Sequence, residues 1–140
     1  MTNQESKISI TVHLPVRLDE LDYLGIVHHA NYLKYMEHVR LKLIEQQGVD
    51  LMDWVKKGYR ALVANDTLNY RHPATYGDTL TITCQVEDVG QSSVRFGYRM
   101  VNEKTGNEVV QATTIVVAVD ANGRPTPVPQ EIREALGEAA

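Results

Sequence analysis

The residues best spaced for chemistry lie in one stretch, Asp22-Tyr-Leu-Gly25-Ile-Val-His28-His29-Ala-Asn31-Tyr32. A carboxylate stands just ahead of a glycine turn, two histidines follow, and an amphipathic helix begins after them. That order can hold an acid or nucleophile against the amide-rich end of a helix. Acyl transfer needs both parts: a group that attacks or activates water, and donors for the oxyanion that forms. Helix N-termini carry unpaired N–H groups and a partial positive charge, which favour such an anion. A carboxylate near apolar surface becomes a better base. The blander alternatives are that Asp22 serves only as a turn residue and His29 only as a structural histidine.

Other candidates are weaker. Asp22, His28, His29 and Glu37 or His38 are legitimate metal ligands, but their spacing matches no metal motif. Adjacent histidines would also point in different directions on a helix. No metal is therefore expected. Ser92-Ser93 lack the Gly-x-Ser-x-Gly elbow of serine hydrolases. Cys84 falls on the apolar side of an alternating segment and reads as core. Asp19 and Glu20 read as solvated loop acids, and Trp54 as a packing residue. Arg71, Arg95 and Arg99 could meet phosphates or form a solvated sheet face.

These residues need a scaffold, and the chain has the means to build one. Its 140 residues suit one domain with a single core, spanning residues 1–140. Apolar residues make up 43% and charged residues 23%, the balance of an ordinary globule rather than a disordered chain. The net charge is −4, and no run of Lys or Arg offsets it, which argues against nucleic-acid binding. The longest wholly apolar run, Ile115 to Val119, is too short to cross a bilayer. No secretory signal is visible, and the single Cys84 cannot form an internal disulfide. A cytoplasmic location is expected.

Alternation of Ile8, Ile10, Val12, Leu14 and Val16 with polar residues predicts a first strand. From about Asn31 the period becomes helical through Tyr32, Tyr35, Met36, Val39 and Leu43, with Leu33, Leu41 and Ile44 widening the apolar face. Gly48 is placed to end that helix. A short helical turn is expected around Leu51–Lys57. Strands follow at Ala61–Tyr70, Thr79–Val86, Val94–Met100 and Val109–Val119, in hairpin-like succession. The last is apolar on both faces and should be central. Pro125, Pro127 and Pro129 stop the sheet, and Gln130–Leu136 reads as a terminal helix. A curved antiparallel sheet wrapping one helix of about 17 residues, ~25 Å long, satisfies this order. One helix cannot cover both faces of the sheet, so oligomerisation is expected.

At this point the chain resembles a known family, the hot-dog-fold acyl-CoA thioesterases of the 4-hydroxybenzoyl-CoA thioesterase type. The resemblance rests on Asp22-x-x-Gly25-Ile26-Val27-x-His29-Ala30-Asn31-Tyr32-Leu33, then Glu37 and Arg40. It continues through Tyr70-x-x-Pro73-Ala74-x-x-x-Asp78 and Asp120-x-x-Gly123-Arg124-Pro125, so that it covers roughly residues 8–133. It implies an α+β hot-dog fold, with a curved antiparallel β-sheet around one long central α-helix. It also implies acyl-CoA thioester hydrolysis with Asp22 as nucleophile or general base. The oxyanion donor would be the backbone N–H of His29 in the first turn of the helix. Gly25 would let the chain turn close to the thioester, and His29 and Glu37 would line the site. His28 stands where the family more often has an aromatic residue. Arg71, Ser92, Ser93 and Arg95 would meet the CoA. No cofactor is implied, since CoA is part of the substrate. The implied assembly is a homodimer, with a homotetramer built from it. Two rival classes are a non-catalytic acyl-CoA or acyl-carrier-protein binder and a hot-dog dehydratase or hydratase. The His29-Ala30-Asn31 context argues against the latter.

Overall fold

The computed structural model describes residues 8–137. Strand β1 (Ser9–Pro15) leads through a loop with one 3-10 turn (Leu18–Glu20) into helix α1 (Asn31–Gln46). Helix α2 (Leu51–Lys56) follows, then β2 (Arg60–Tyr70), β3 (Thr79–Val89), β4 (Ser93–Asn102) and β5 (Glu108–Val119), and helix α3 (Gln130–Ala135). The five strands form one sheet in the order β1-β3-β4-β5-β2, with every pairing antiparallel. The expected hot-dog fold is the one observed.

One connection differs from the hairpin-like succession. β3, β4 and β5 form a meander, but β2 does not pair with β3. Both edges of β3 are taken, by β1 and β4, so β2 pairs with β5 at the far edge.

α1 lies in the hollow of the sheet. Tyr32, Tyr35, Met36, Val39, Arg40, Leu43 and Ile44 are buried at the helical spacing of a core-facing stripe. Leu33 and Leu41 are not part of it; both are exposed. Gly48, at φ +85°, ends the helix. The Gly48 N–H bonds to the Glu45 carbonyl and the Val49 N–H to that of Ile44, which is a Schellman end. The sheet answers with Leu80, Ile82, Cys84 and Val86 of β3 and with Val94, Phe96, Tyr98 and Met100 of β4.

One charged group is buried in this hollow. Arg40, 7% exposed, donates to the Tyr98 hydroxyl at 2.9 Å. The Thr114 hydroxyl acts on the same phenol, lowering its pKa, and donates to Asp66 Oδ1 of β2 at 2.6 Å. Burial pushes the Tyr98 phenol up to about 12, against the lowering influence of the Arg40 charge.

α1 cannot cover all five strands. It rests on β1 and β3, and β2 is left exposed along nearly its whole length. Leu62 and Val63 are about half exposed on that outer strand, at 50% and 48%.

Cys84 is the core residue that its alternation predicts. Burial raises its thiol to about 12, so the reactive thiolate is suppressed at neutral pH. Iodoacetamide at pH 8 should leave Cys84 unmodified in the native protein and label it fully in denaturant. Rapid native labelling, read by mass spectrometry, would contradict this burial.

Candidate active site

The loop between β1 and α1 is a small hairpin with Asp22 near its tip. Leu21 and Val27 form an antiparallel bridge, and the His28 N–H reaches the Glu20 carbonyl at 2.9 Å. The Asp22 N–H reaches the Ile26 carbonyl at 2.8 Å, and the Gly25 N–H reaches the Asp22 carbonyl at 3.0 Å. Gly25 adopts φ +81°, a region that a Cβ disfavours. Asp22 Oδ1 accepts the Leu24 N–H at 2.8 Å, which makes an Asx turn. Oδ2 has no hydrogen-bond or salt-bridge partner among the described residues. The turn role and a chemical role are thus compatible: one oxygen fixes the carboxylate and the other stays available.

The hairpin is fastened to the sheet. The Val27 N–H donates to the Ala74 carbonyl at 2.8 Å and the Thr75 hydroxyl donates to the Gly25 carbonyl at 2.7 Å. Asp78 closes the 75–78 turn by accepting the Thr75 N–H at 2.9 Å, and its carbonyl accepts the Val16 N–H at 2.9 Å. These bonds give a role to the Pro73-Ala74 and Asp78 positions of the resemblance.

His29 lies one step earlier than expected. α1 begins at Asn31 with Ala30 as its N-cap, so His29 belongs to the turn that enters the helix and not to its first turn. Its N–H has no acceptor among the described residues, which suits an oxyanion donor. Its carbonyl accepts from the Tyr70 hydroxyl at 3.3 Å. His28 Nδ1 accepts the Ala30 N–H at 3.1 Å, so its proton is on Nε2 when the ring is neutral. The two imidazoles stack, with centroids 4.5 Å apart and planes at 20°. They are parallel because neither residue is yet helical.

Glu20 is the residue that the sequence reading misplaced. It is half-buried, and its Oε1 accepts both the Arg17 N–H and the Tyr35 hydroxyl at 2.8 Å. Its carbonyl accepts the Asn31 side-chain amide at 2.8 Å as well as the His28 N–H. The Tyr35 phenol is pushed far up by burial and by the Glu20 carboxylate, so it stays a donor. A carboxylate two residues before the start of the Asx turn and an inward Tyr on α1 were the available signals; only the fold brings them together.

The other sequence candidates separate into three places. Arg71 joins His29 on one cavity of about 320 Å³, with Ile26, Val27, Tyr32 and Tyr70. Arg71 Nε lies 3.9 Å from Glu108, whose other carboxylate oxygen accepts from Arg99 at 2.9 Å. Burial raises the Tyr32 phenol to about 12, which keeps it neutral beside Tyr70, 5.7 Å away centroid to centroid. Glu37 is exposed on the outer flank of α1 and does not line this cavity. Ser92, Ser93 and Arg95 lie at the other end of the sheet. β4 runs from Ser93 to Asn102, and only its Asn102 end adjoins the loop that carries Asp22. Ten residues of strand put the two ends ~30 Å apart, so a single chain does not bring these residues to Asp22. Among the described residues no group of three or more His, Cys, Asp or Glu is placed to hold a metal ion. No helix among them is long and apolar enough to cross a membrane.

Known proteins are similar to this chain in sequence and fold. The family model described as the thioesterase-like superfamily matches residues 16–136. A putative acyl-CoA thioesterase of Bacillus subtilis, YneP, is 36% identical over 107 residues, which cover 76% of this chain and 77% of the relative. The long-chain acyl-CoA thioesterase FadM of Escherichia coli is 32% identical over 108 residues, 76% of this chain and 80% of its own. The crystal structure of a 4-hydroxybenzoyl-CoA thioesterase mutant with 4-hydroxybenzoyl-CoA superposes with a TM-score of 0.84 at 20% identity. That superposition covers 92% of this chain and 99% of the other, and it shows a common fold.

Replacing Glu20 tests the architecture of the loop. Glu20→Ala leaves the Tyr35 hydroxyl and the Arg17 N–H without their charged acceptor, a loss of about 1.5–3 kcal/mol per bond to a charged group where no water substitutes. Urea unfolding should show Glu20→Ala destabilised by roughly that amount, and Glu20→Gln by distinctly less. Equal stability of wild type and Glu20→Ala would mean that Glu20 is a solvated acid after all.

Proposed function

The chain belongs to the thioesterase-like superfamily, and on that premise we propose that it hydrolyses acyl-CoA thioesters to a free acid and CoA. The observation that carries the proposal is the pairing of Asp22 and His29 on one fastened loop. Asp22 offers a free Oδ2 held in place through Oδ1, and His29 offers an unpaired N–H beside the start of α1. Water adds its oxygen to the acyl carbon, the carbon–sulfur bond breaks, and the thiolate takes up a proton. Asp22 either attacks first, giving a mixed anhydride that water then opens, or removes a proton from the attacking water. Both routes build an oxyanion that the His29 N–H and the end of α1 would stabilise; one such donor is worth ~2.7–4 kcal/mol of barrier. Water and this chain's own residues are enough for either route. The names of the relatives point to the same reaction.

The working form in this proposal is a homodimer joined through β2. An exposed edge strand carrying Leu62 and Val63 is a ready template for pairing. Tyr23, 95% exposed at the tip of the Asp22 hairpin, is a second apolar surface in need of cover. Antiparallel pairing of two β2 strands sets the far end of one protomer beside the Asp22 end of the other. Ser92, Ser93 and Arg95 would then reach the CoA in trans, next to Arg71 in cis. Glu37, with exposed Leu33 and Leu41 on the same flank of α1, would face the surface through which dimers join as a homotetramer.

Asp22→Asn keeps an oxygen for the Leu24 N–H, so it removes chemistry without removing the turn. Thiol release from acyl-CoAs should fall ~10²–10⁴-fold, with the melting temperature nearly unchanged. Equal turnover by both proteins would put the chemistry on another residue.

Sedimentation should give the mass of two or four 15.7 kDa chains. A fully active monomer would overturn the shared site.

A further inference from the structure

A largely apolar cavity lies away from Asp22, and no step of the hydrolysis uses it. It sits at the Arg60 end of β2, closed by the C-terminal part of α1, by α2, by α3, and by the adjoining ends of β4 and β5. Its volume is about 230 Å³. Trp54, Tyr59, Phe96, Val116, Ala118 and Leu136 are among its walls. Among the described residues the one charged side chain lining it is Arg60, whose Nη1 donates to the Val55 carbonyl at 3.0 Å and the Tyr59 carbonyl at 2.9 Å. Its other walls are mainly aliphatic and aromatic, so it offers little to a nucleotide. It suits a flexible aliphatic chain.

We propose that this cavity holds the aliphatic tail of the acyl group whose thioester is cleaved at Asp22 of the other protomer. The inference rests on the thioesterase reading above. Its geometry follows from β2. The hydroxyl of Tyr70, at the end of this strand, touches His29, and Arg60, at its beginning, lines the cavity. Within one chain an 11-residue strand, ~35 Å long, separates the two. In an antiparallel pair centred on the middle of β2, the Arg60 end of one copy lies beside the Tyr70 end of the other. The cavity of one protomer then opens toward the reaction centre of its partner. A methylene is about the size of a liquid water molecule, ~30 Å³, so 230 Å³ accommodates about seven or eight carbons. The substrate class is therefore a medium-chain aliphatic acyl-CoA rather than acetyl-CoA.

Three measurements test this. The first is the chain-length profile of kcat/KM from acetyl- to palmitoyl-CoA. It should rise by up to fourfold per carbon, the equivalent of ~0.8 kcal/mol for each buried methylene, and level off near eight carbons. In Ala118→Phe, where a ring fills the cavity, the octanoyl-to-acetyl ratio should fall at least tenfold. A flat wild-type profile, or an unchanged ratio in Ala118→Phe, would overturn the proposal.

The second measurement is a decanoate titration followed by fluorescence of Trp54, the single tryptophan of the chain. A saturable change that is lost in Ala118→Phe supports the cavity even if no acyl-CoA is cleaved, in which case only the hydrolytic reading fails. No change in the wild type overturns the site itself.

The third mixes dissociated Asp22→Asn and Ala118→Phe and lets them reassociate. Half the dimers then pair one of each, and one of their two sites is whole only if tail and carboxylate come from different chains. Octanoyl-CoA turnover should recover to roughly a quarter of wild type. No recovery, with mixed dimers present, would rule out the arrangement in trans.

Discussion

A single helix must cover a five-stranded sheet, and most of the structure follows from the mismatch. A helix with its side chains is about 10–12 Å across, whereas five strands at about 4.8 Å spacing span some 19 Å between the outermost backbones. α1 therefore satisfies one side of the hollow, where it rests on β1 and β3. The other side, along β5 and β2, is only partly closed by the short helices α2 and α3. The apolar cavity at the Arg60 end and the bare outer strand are both consequences of that shortfall.

The same packing fixes the reactive loop. α1 enters the hollow at its N-terminus, so the chain must climb from the end of β1 to the start of the helix within residues 16–30. It does so as a hairpin bound to the 74–78 turn at one side and to Glu20 at the other. Backbone bonds carry most of this load, and they leave one oxygen of the Asp22 carboxylate and the His29 N–H unspent. A loop with so few free backbone groups holds its geometry without the substrate, which is what electrostatic stabilisation of an oxyanion requires.

How much of this was readable in the sequence depended on range. Local periods gave the elements: the alternation at Leu80, Ile82 and Cys84 and the helical stripe from Tyr32 to Ile44 reappear as the core. The turn at Asp22 and Gly25 was legible because its chemistry is contained within four residues. Leu33 and Leu41 misled, because a count of apolar positions does not say which flank faces the sheet. Long-range facts were hidden. Nothing local shows that β2 crosses to β5, that Glu20 meets Tyr35, or that Ser92 and Asp22 sit at opposite ends. The resemblance grouped Ser92, Ser93 and Arg95 with Asp22 in a site expected at a dimer interface, and the fold supplies the reason, since one chain holds them at opposite ends of the sheet.

The buried Arg40 shows how the exposed edge is kept in register with the covered part. A guanidinium taken out of water needs strong hydrogen bonding to be tolerated. Arg40 obtains it from Tyr98, and the chain passes through Thr114 to Asp66. The Tyr98 hydroxyl accepts from the cation, and the Thr114 hydroxyl donates to the carboxylate. The four residues sit on α1, β4, β5 and β2 in turn. The relay thus ties the helix to the outer strand across the part of the hollow where apolar packing is thinnest. A purely apolar contact would leave the sliding of β2 along β5 weakly specified, because Val, Leu and Ala neighbours tolerate displacement. Directional bonds do not, and the position of β2 decides where any second copy, and any site shared with it, must lie.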